Sequence, residues 1–307
     1  MLPKVDIIMA TYNGEKYLEN QILSLIQQSY KNWQLIIHDD GSTDKTKDVI
    51  EKYVGIDDRV KFIQDDVTDL RAGKNFIHTL NFSTSDYAIF CDQDDIWLET
   101  KIEELMQKML IIEDKDKPTL IYCDGYPWNR EGKIEKQSIS TCHAEELNDF
   151  IMLNGGYQGC SILMNRKLIE MTQSYHGYIY HHDDLVSLIA HTFGKVHFYP
   201  KQLMLYRQHT QAVTGEKSFK KRVLGGIFEN AGYVISNKHY RAKKSFFEFY
   251  KSELAIKNKR IFEAYFNYCE TESKLLKVFI VLNNNLTWGK SRTKLIGKSI
   301  VQRTFDI

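Results

Sequence analysis

The chain has 307 residues, 43% of them hydrophobic and 26% charged, with a formal net charge of +1. That size buries a sizeable core and that balance excludes global disorder, so one large domain with an appendage is expected. The charge is uneven: residues 216–307 hold 19 of the 41 Lys and Arg but 8 of the 40 Asp and Glu, which marks two regions with different tasks.

Val5–Ala10 is a short apolar strand followed by a turn at Asn13-Gly14, and Tyr17, Leu18, Ile22, Leu25 and Ile26 then recur at helical spacing. Leu35–Ile37 is a second strand running into Asp39-Asp40-Gly41-Ser42. Val60–Ile63 is a third and Tyr87–Phe90 a fourth, each preceded by a helical stretch. This alternation predicts an α/β fold with a mainly parallel sheet covered on both faces, continued by Leu120–Cys123. A helix is expected over Ile96–Met109, with Asp95 either its cap or part of a site. Beyond residue 125 the spacing predicts strands at Ser161–Met164, Val196–Tyr199 and Gln202–Tyr206, and a helix over Asp183–Phe193. From Lys217 the chain reads as helices rich in Lys and aromatics, such as Tyr240–Tyr250 and Arg260–Tyr268. The boundary is drawn at 215/216.

Three strand ends are polar: Thr11-Tyr12-Asn13, Asp39-Asp40-Gly41-Ser42 and Asp92-Gln93-Asp94-Asp95. Ligands of open parallel sheets bind at such carboxyl ends. Asp92 and Asp94, two apart, share a face about 7 Å from one another, where at an effective dielectric of ~20 they repel by roughly 2 kcal/mol. A divalent cation reverses that sign, and oxygen ligands suit Mg²⁺ or Mn²⁺. An ion held by one or two protein groups keeps positions open for phosphate oxygens, so the cluster reads as a metal–diphosphate seat.

The segments "MATYNGEKYLENQILSLIQQS", "HDDGSTDKT" and "FCDQDDIWLETKI" resemble the nucleotide-binding half of family 2 glycosyltransferases of the GT-A fold, over roughly residues 4–215. "DQDDIW" with the later "YRQH" resembles the rhamnosyltransferase-like branch that builds bacterial capsule, O-antigen and cell-wall polysaccharides. The resemblance implies a Rossmann-like nucleotide-binding sheet, here with a C-terminal helical region. It implies Thr11, Tyr12 and Asn13 around the base pocket, Asp40 with Asp39 accepting from the base N3–H, and Asn75 near the nucleotide sugar. It further implies Asp92 on the ribose or sugar and Asp94 on the cation.

A sugar leaving a nucleoside diphosphate needs its departing charge neutralised and a base for the acceptor hydroxyl. In "IYHHDDLVSLIA" the resemblance points to Asp183 as that base, with Asp184 the alternative acid; N-capping of the helix is the plainer role for either. In "LYRQHTQAVTG" it implies His209 on the cation or diphosphate and Arg207 bracing the loop or the phosphate. The expected reaction is a single inverting displacement from a dTDP- or UDP-sugar, best dTDP-L-rhamnose, onto a saccharide acceptor carried on lipid. UDP-hexoses and UDP-N-acetylhexosamines are alternative donors, and a catalytically silent nucleotide- or carbohydrate-binding module is the alternative class. A nucleotidyltransferase would carry a Gly-rich phosphate loop that "MATYNGEKY" lacks.

The opening residues show no secretion signal, and no apolar run reaches the ~20 residues of a spanning helix. Five cysteines without C-x-x-C spacing fit reduced thiols in a cytoplasm. The basic, aromatic tail, including Lys217–Arg222, Lys238, Arg241, Lys243 and Lys244, suits either an anionic inner-membrane surface or packing on the catalytic domain or the second copy of a homodimer. Nucleic acid is disfavoured by the acidic first region.

Overall fold

The computed structural model describes residues 2–129, 132–134, 138–140, 142–208 and 232–306. An eight-stranded sheet runs in the order β3-β2-β1-β4-β7-β6-β8-β5. Its strands are β1 (Val5–Thr11), β2 (Trp33–Asp39), β3 (Val60–Ile63), β4 (Tyr87–Cys91), β5 (Ile96–Trp97), β6 (Thr119–Trp128), β7 (Ile162–Asn165) and β8 (Lys195–Arg207). β1 lies parallel between β2 and β4, whereas β7 is antiparallel to both β4 and β6, and β5 to β8. The fold is the mixed, mainly parallel GT-A arrangement expected. The two strands predicted at 196–199 and 202–206 are one long β8. The helix predicted from Ile96 begins instead at Lys101, because Ile96 and Trp97 pair with Leu205 and Met204.

β1 is buried on both faces, as the apolar stretch Ile7–Ala10 requires. Its single acid, Asp6, is buried and takes hydrogen bonds from Ser83 Oγ, Thr84 N, Ser85 N and Ser85 Oγ at 2.6–3.0 Å, so it pins the start of β1 to the turn before β4. Helices α1 (Leu18–Ile26), α2 (Thr46–Ile56), α3 (Arg71–Leu80), α4 (Lys101–Ile112), α5 (Leu147–Phe150), α6 (Arg166–Gln173) and α7 (His182–Phe193) follow in chain order. Two hydrophobic clusters result: Val5, Ile7, Leu18, Ile22 and Leu35 belong to one, Ile8, Phe76, Phe90 and Leu185 to the other.

The C-terminal residues form α8 (Asn237–Tyr250), α9 (Ile256–Glu270), α10 (Lys274–Asn283) and α11 (Arg292–Val301), with β9 (Tyr233–Ile235) parallel to β10 (Arg303–Phe305). Phe246, Phe247, Tyr250, Phe262 and Tyr265 extend the second cluster, stacking in part on Tyr175 of the sheet domain. The aromatics of α8 therefore pack mainly inward, and Lys243 is buried with its ammonium on Leu153 O at 2.6 Å. The 215/216 boundary and Lys217–Arg222 lie outside the described residues. Among those described, no helix is long and apolar enough to cross a membrane.

Candidate functional site

Three loops meet where β1, β2 and β4 end. Gln93 joins the first to the third: its amide accepts from Tyr12 N and donates to Tyr12 O, each at 3.0 Å. Asn13 (φ 47°) joins the first to the second, donating its N–H to Ser42 Oγ at 2.8 Å and accepting from Thr43 N at 2.9 Å. The Tyr12 ring is left exposed beside this knot, available as a stacking surface for a planar base.

The two acids of the second loop are already engaged. Asp39 accepts from Ser42 N (2.8 Å), Ser42 Oγ (2.6 Å) and Thr11 Oγ1 (2.9 Å), and Lys47 lies 3.8 Å away. Its oxygens and the buried Thr11 hydroxyl thus face one another and build the turn. Asp40 takes Leu70 N at 2.8 Å on one oxygen and Arg71 N at 2.7 Å on the other, so it holds the start of α3; each oxygen keeps lone-pair capacity for a further donor. Asn75, expected near the sugar, is buried instead. Its Oδ1 lies 2.6 Å from His38 Nδ1, and its Nδ2 faces Thr11 O and His38 O at 3.4 and 3.5 Å. It ties α3 to the ends of β1 and β2, because the first face of α3 also carries Phe76 into the core.

Asp92, Asp94 and Asp95 follow β4. Burial, then the charge of Asp94, pushes the Asp92 carboxyl up to about 7, and the same causes raise Asp95. Asp95 does not cap a helix: one oxygen accepts Arg207 N at 2.9 Å, and the carboxylate is buried beside the Cys160 thiol. Ligand atoms of Asp92, Asp95 and Cys160 lie within 4.8 Å of one another. The carboxylates of Asp92 and Asp95 and the Cys160 thiol, with the charge of Asp94 beside them, are a donor set that a divalent cation would satisfy, and Asp94 itself is not among the converging ligand atoms.

Two cations brace this cluster. Arg207 donates Nε–H to Asp94 O at 2.6 Å, and its guanidinium lies over the rings of Tyr17 (4.6 Å) and Trp128 (4.0 Å). Lys101, fully buried, donates to Cys160 O at 2.7 Å and lies 3.7 Å from the Trp97 ring centroid. Its charge opposes the rise of Asp92. Sequence reading missed Lys101; the signal was a cation opening a helix whose first turn otherwise carries Glu103 and Glu104, against the dipole. His209 lies outside the described residues.

Across the site, α7 begins at His182. That ring stacks on Phe76 (4.0 Å) and meets Phe90 edge-on (4.6 Å), and burial lowers it to about 3, so it is a neutral spacer. Gly156 and Gly159 pass so close that a Cβ would sit 2.5 Å from Asp183 O and 2.4 Å from His182 Nε2. The close approach they permit is to α7. Asp184 turns away toward α8, with Oδ2 3.1 Å from His239 Nε2, and burial followed by Asp183's charge raises it to about 7. Asp183 is half-buried and accepts from Asp184 N at 2.9 Å.

The profile of glycosyl transferase family 2 matches residues 6–171. The chain is 41% identical over 103 residues to the putative glycosyltransferase EpsE of Bacillus subtilis (strain 168), covering 33% of this chain and 37% of that one. It is 29% identical over 250 residues to the dTDP-rhamnosyl transferase RfbG of Shigella flexneri, covering 76% and 81%. The chain spans 37–43% of the length of the first curated relatives it matches. Among solved structures, S. aureus TarS 1-349 in complex with UDP-GlcNAc superposes with a TM-score of 0.54 at 16% identity, over 97% of this chain and 90% of that one. The matched profile spans more than half of the chain and the same fold recurs in that structure, so the chain belongs to glycosyl transferase family 2.

Proposed function

We propose that the protein is an inverting, metal-dependent glycosyltransferase that moves L-rhamnose from dTDP-L-rhamnose to a growing, lipid-linked bacterial surface polysaccharide. The observation that carries the transferase reading is the convergence of three strand ends on crowded, desolvated acids. The donor follows the likeness to RfbG over 76% of this chain.

Asp94, with Asp92 or Asp95 beside it and His209 completing the set, would hold Mn²⁺ or Mg²⁺, which when bound offsets the charge of the leaving diphosphate. The exposed Tyr12 ring packs on the base, and the free lone pairs of Asp40 accept from its N3–H. Arg207, clamped between two rings, keeps Asp94 and Asp95 in register. Asp183 takes the acceptor's proton as that oxygen bonds to the anomeric carbon and the bond to the diphosphate breaks. Asp184 is not the base in this reading, because its carboxyl is turned into the interface with α8.

Titrating the full chain with dTDP and UDP, with and without Mn²⁺, tests the ion's role: equal affinity in its absence removes it. A panel of dTDP- and UDP-sugars scored for donor hydrolysis tests the sugar, and turnover of a UDP-hexose alone replaces the rhamnosyl assignment.

A further inference from the structure

A second cluster of metal-ligating side chains stands apart from the acids after β4. His38 is the penultimate residue of β2, Asp65 lies in the loop between β3 and α3, and His78 is in the last turn of α3. Asp65 Oδ1 is 3.1 Å from His38 Nε2, and its Oδ2 is 2.8 Å from His78 Nε2. One ligand atom from each of the three lies within 4.8 Å of the other two. The His38 side chain is 2% exposed, His78 22% and Asp65 28%, so the cluster opens to solvent on one side.

The hydrogen bonds fix which nitrogen of His38 carries a proton. Asn75 Nδ2 faces two carbonyl oxygens, so Oδ1 is the atom turned toward His38 Nδ1, 2.6 Å away. An amide oxygen only accepts, so Nδ1 donates. Nε2 then faces the Asp65 carboxylate, and either a proton or a metal ion lies between these two acceptors. A ring nitrogen whose partner N–H is anchored on a carbonyl is how a metal-binding histidine is oriented. Two imidazoles and a carboxylate select a first-row transition ion over Mg²⁺ or Ca²⁺.

We propose that His38, Asp65 and His78 form a site for a transition-metal ion of the Zn²⁺ class, with the solvent side left for a fourth ligand. At metal–ligand distances of ~2.0–2.2 Å a tetrahedral site spaces its ligand atoms by roughly 3.3–3.6 Å, within the 4.8 Å that encloses one ligand atom from each of these three side chains. The ion would fasten the loop after β3 to β2 and to α3, and the end of that same loop delivers the Leu70 and Arg71 amides to Asp40.

The test uses the full chain carrying Asp94→Asn, which weakens the acids after β4; any binding that survives there through Asp92, Asp95 and Cys160 is told apart as the part that neither second substitution lowers. Zn²⁺ is titrated calorimetrically, and Co²⁺ is followed by its visible absorption. One ion per chain with four- or five-coordinate Co²⁺ bands is expected, with affinity falling at least tenfold in Asp94→Asn/His78→Ala and in Asp94→Asn/Asp65→Asn. At 100 times Kd the ion should raise the folded-to-unfolded ratio about 100-fold, read as a higher melting temperature. Absence of binding in Asp94→Asn, or binding that neither second substitution weakens, overturns the site. Because His78 and Asp65 are partly exposed, loss of fold is checked by circular dichroism, and His78→Gln replaces His78→Ala if the latter is unfolded.

Discussion

The acids after β4 should make metal affinity pH-dependent. An ion binds the deprotonated carboxylate, and Asp92 is held up at about 7, chiefly by burial and secondarily by Asp94. With that value, about one-eleventh of Asp92 is ionised at pH 6 and about ten-elevenths at pH 8. Mn²⁺ affinity should therefore rise about tenfold across the interval, or about 1.4 kcal/mol. The sign follows from linkage: a raised acid binds more protons in the folded state, so the metal-free protein loses stability as pH climbs from 3.8 through 7, and the ion opposes that loss. Asp184 titrates near the same pH but faces α8, so Asp184→Asn should leave the slope intact, whereas Asp92→Asn should reduce it, leaving the part due to Asp95. Calorimetric Mn²⁺ titrations at pH 6, 7 and 8 on the three proteins decide. An affinity that stays flat in the wild type refutes the argument that desolvated carboxylates form the seat.

Lys101→Met removes the cation that opposes protonation of Asp92 and should move the same affinity curve toward higher pH; an unmoved curve assigns Lys101 to packing alone. Asp183→Asn should retain nucleotide binding while turnover falls by about 10²–10⁴, measured by product formation at saturating donor, and near-normal turnover would place the base elsewhere. Gly156→Ala forces a methyl against Asp183 O and should lower both melting temperature and turnover, by differential scanning fluorimetry and rate assay. Leu275 and Phe279 of α10 are 85% and 62% exposed; if this face meets anionic lipid, replacing both with Ser should abolish liposome flotation of the intact chain. Flotation that persists would remove α10 from the contact.

What was legible in the sequence was what nearest neighbours decide. The apolar stretches at the centres of β1, β2 and β4 announced buried parallel strands, and the polar residues after them announced the loops that meet at their ends. Asp95 was ambiguous because a helix cap is a local inference, whereas its actual partner, the Arg207 amide, is more than a hundred residues away. Ile96 and Trp97 likewise look helical until β8 arrives to pair with them. The direction of β7 could not be read, since four alternately packed residues look alike whichever way they run. Asn75 was placed near the nucleotide sugar by resemblance alone, because nothing in "AGKNF" reveals that two strand ends lie beside it. The basic aromatic tail was underdetermined for the same reason: α8 has aromatics enough for a membrane, and the sheet domain reaches most of them first.

The contact between the head of α7 and α8 has an architectural outcome. Asp184, His239 and Lys243 line one small chamber with Phe150, Tyr175 and Phe246, so the residue that follows Asp183, the base proposed above, rests on a foundation supplied by the tail. Remodelling α8 would act on the first turn of α7 through His239 and Asp184, and no residue lining that chamber comes from the loops after β1, β2 and β4. On the proposed function, this would let the acceptor side of the reaction change without rebuilding the donor side.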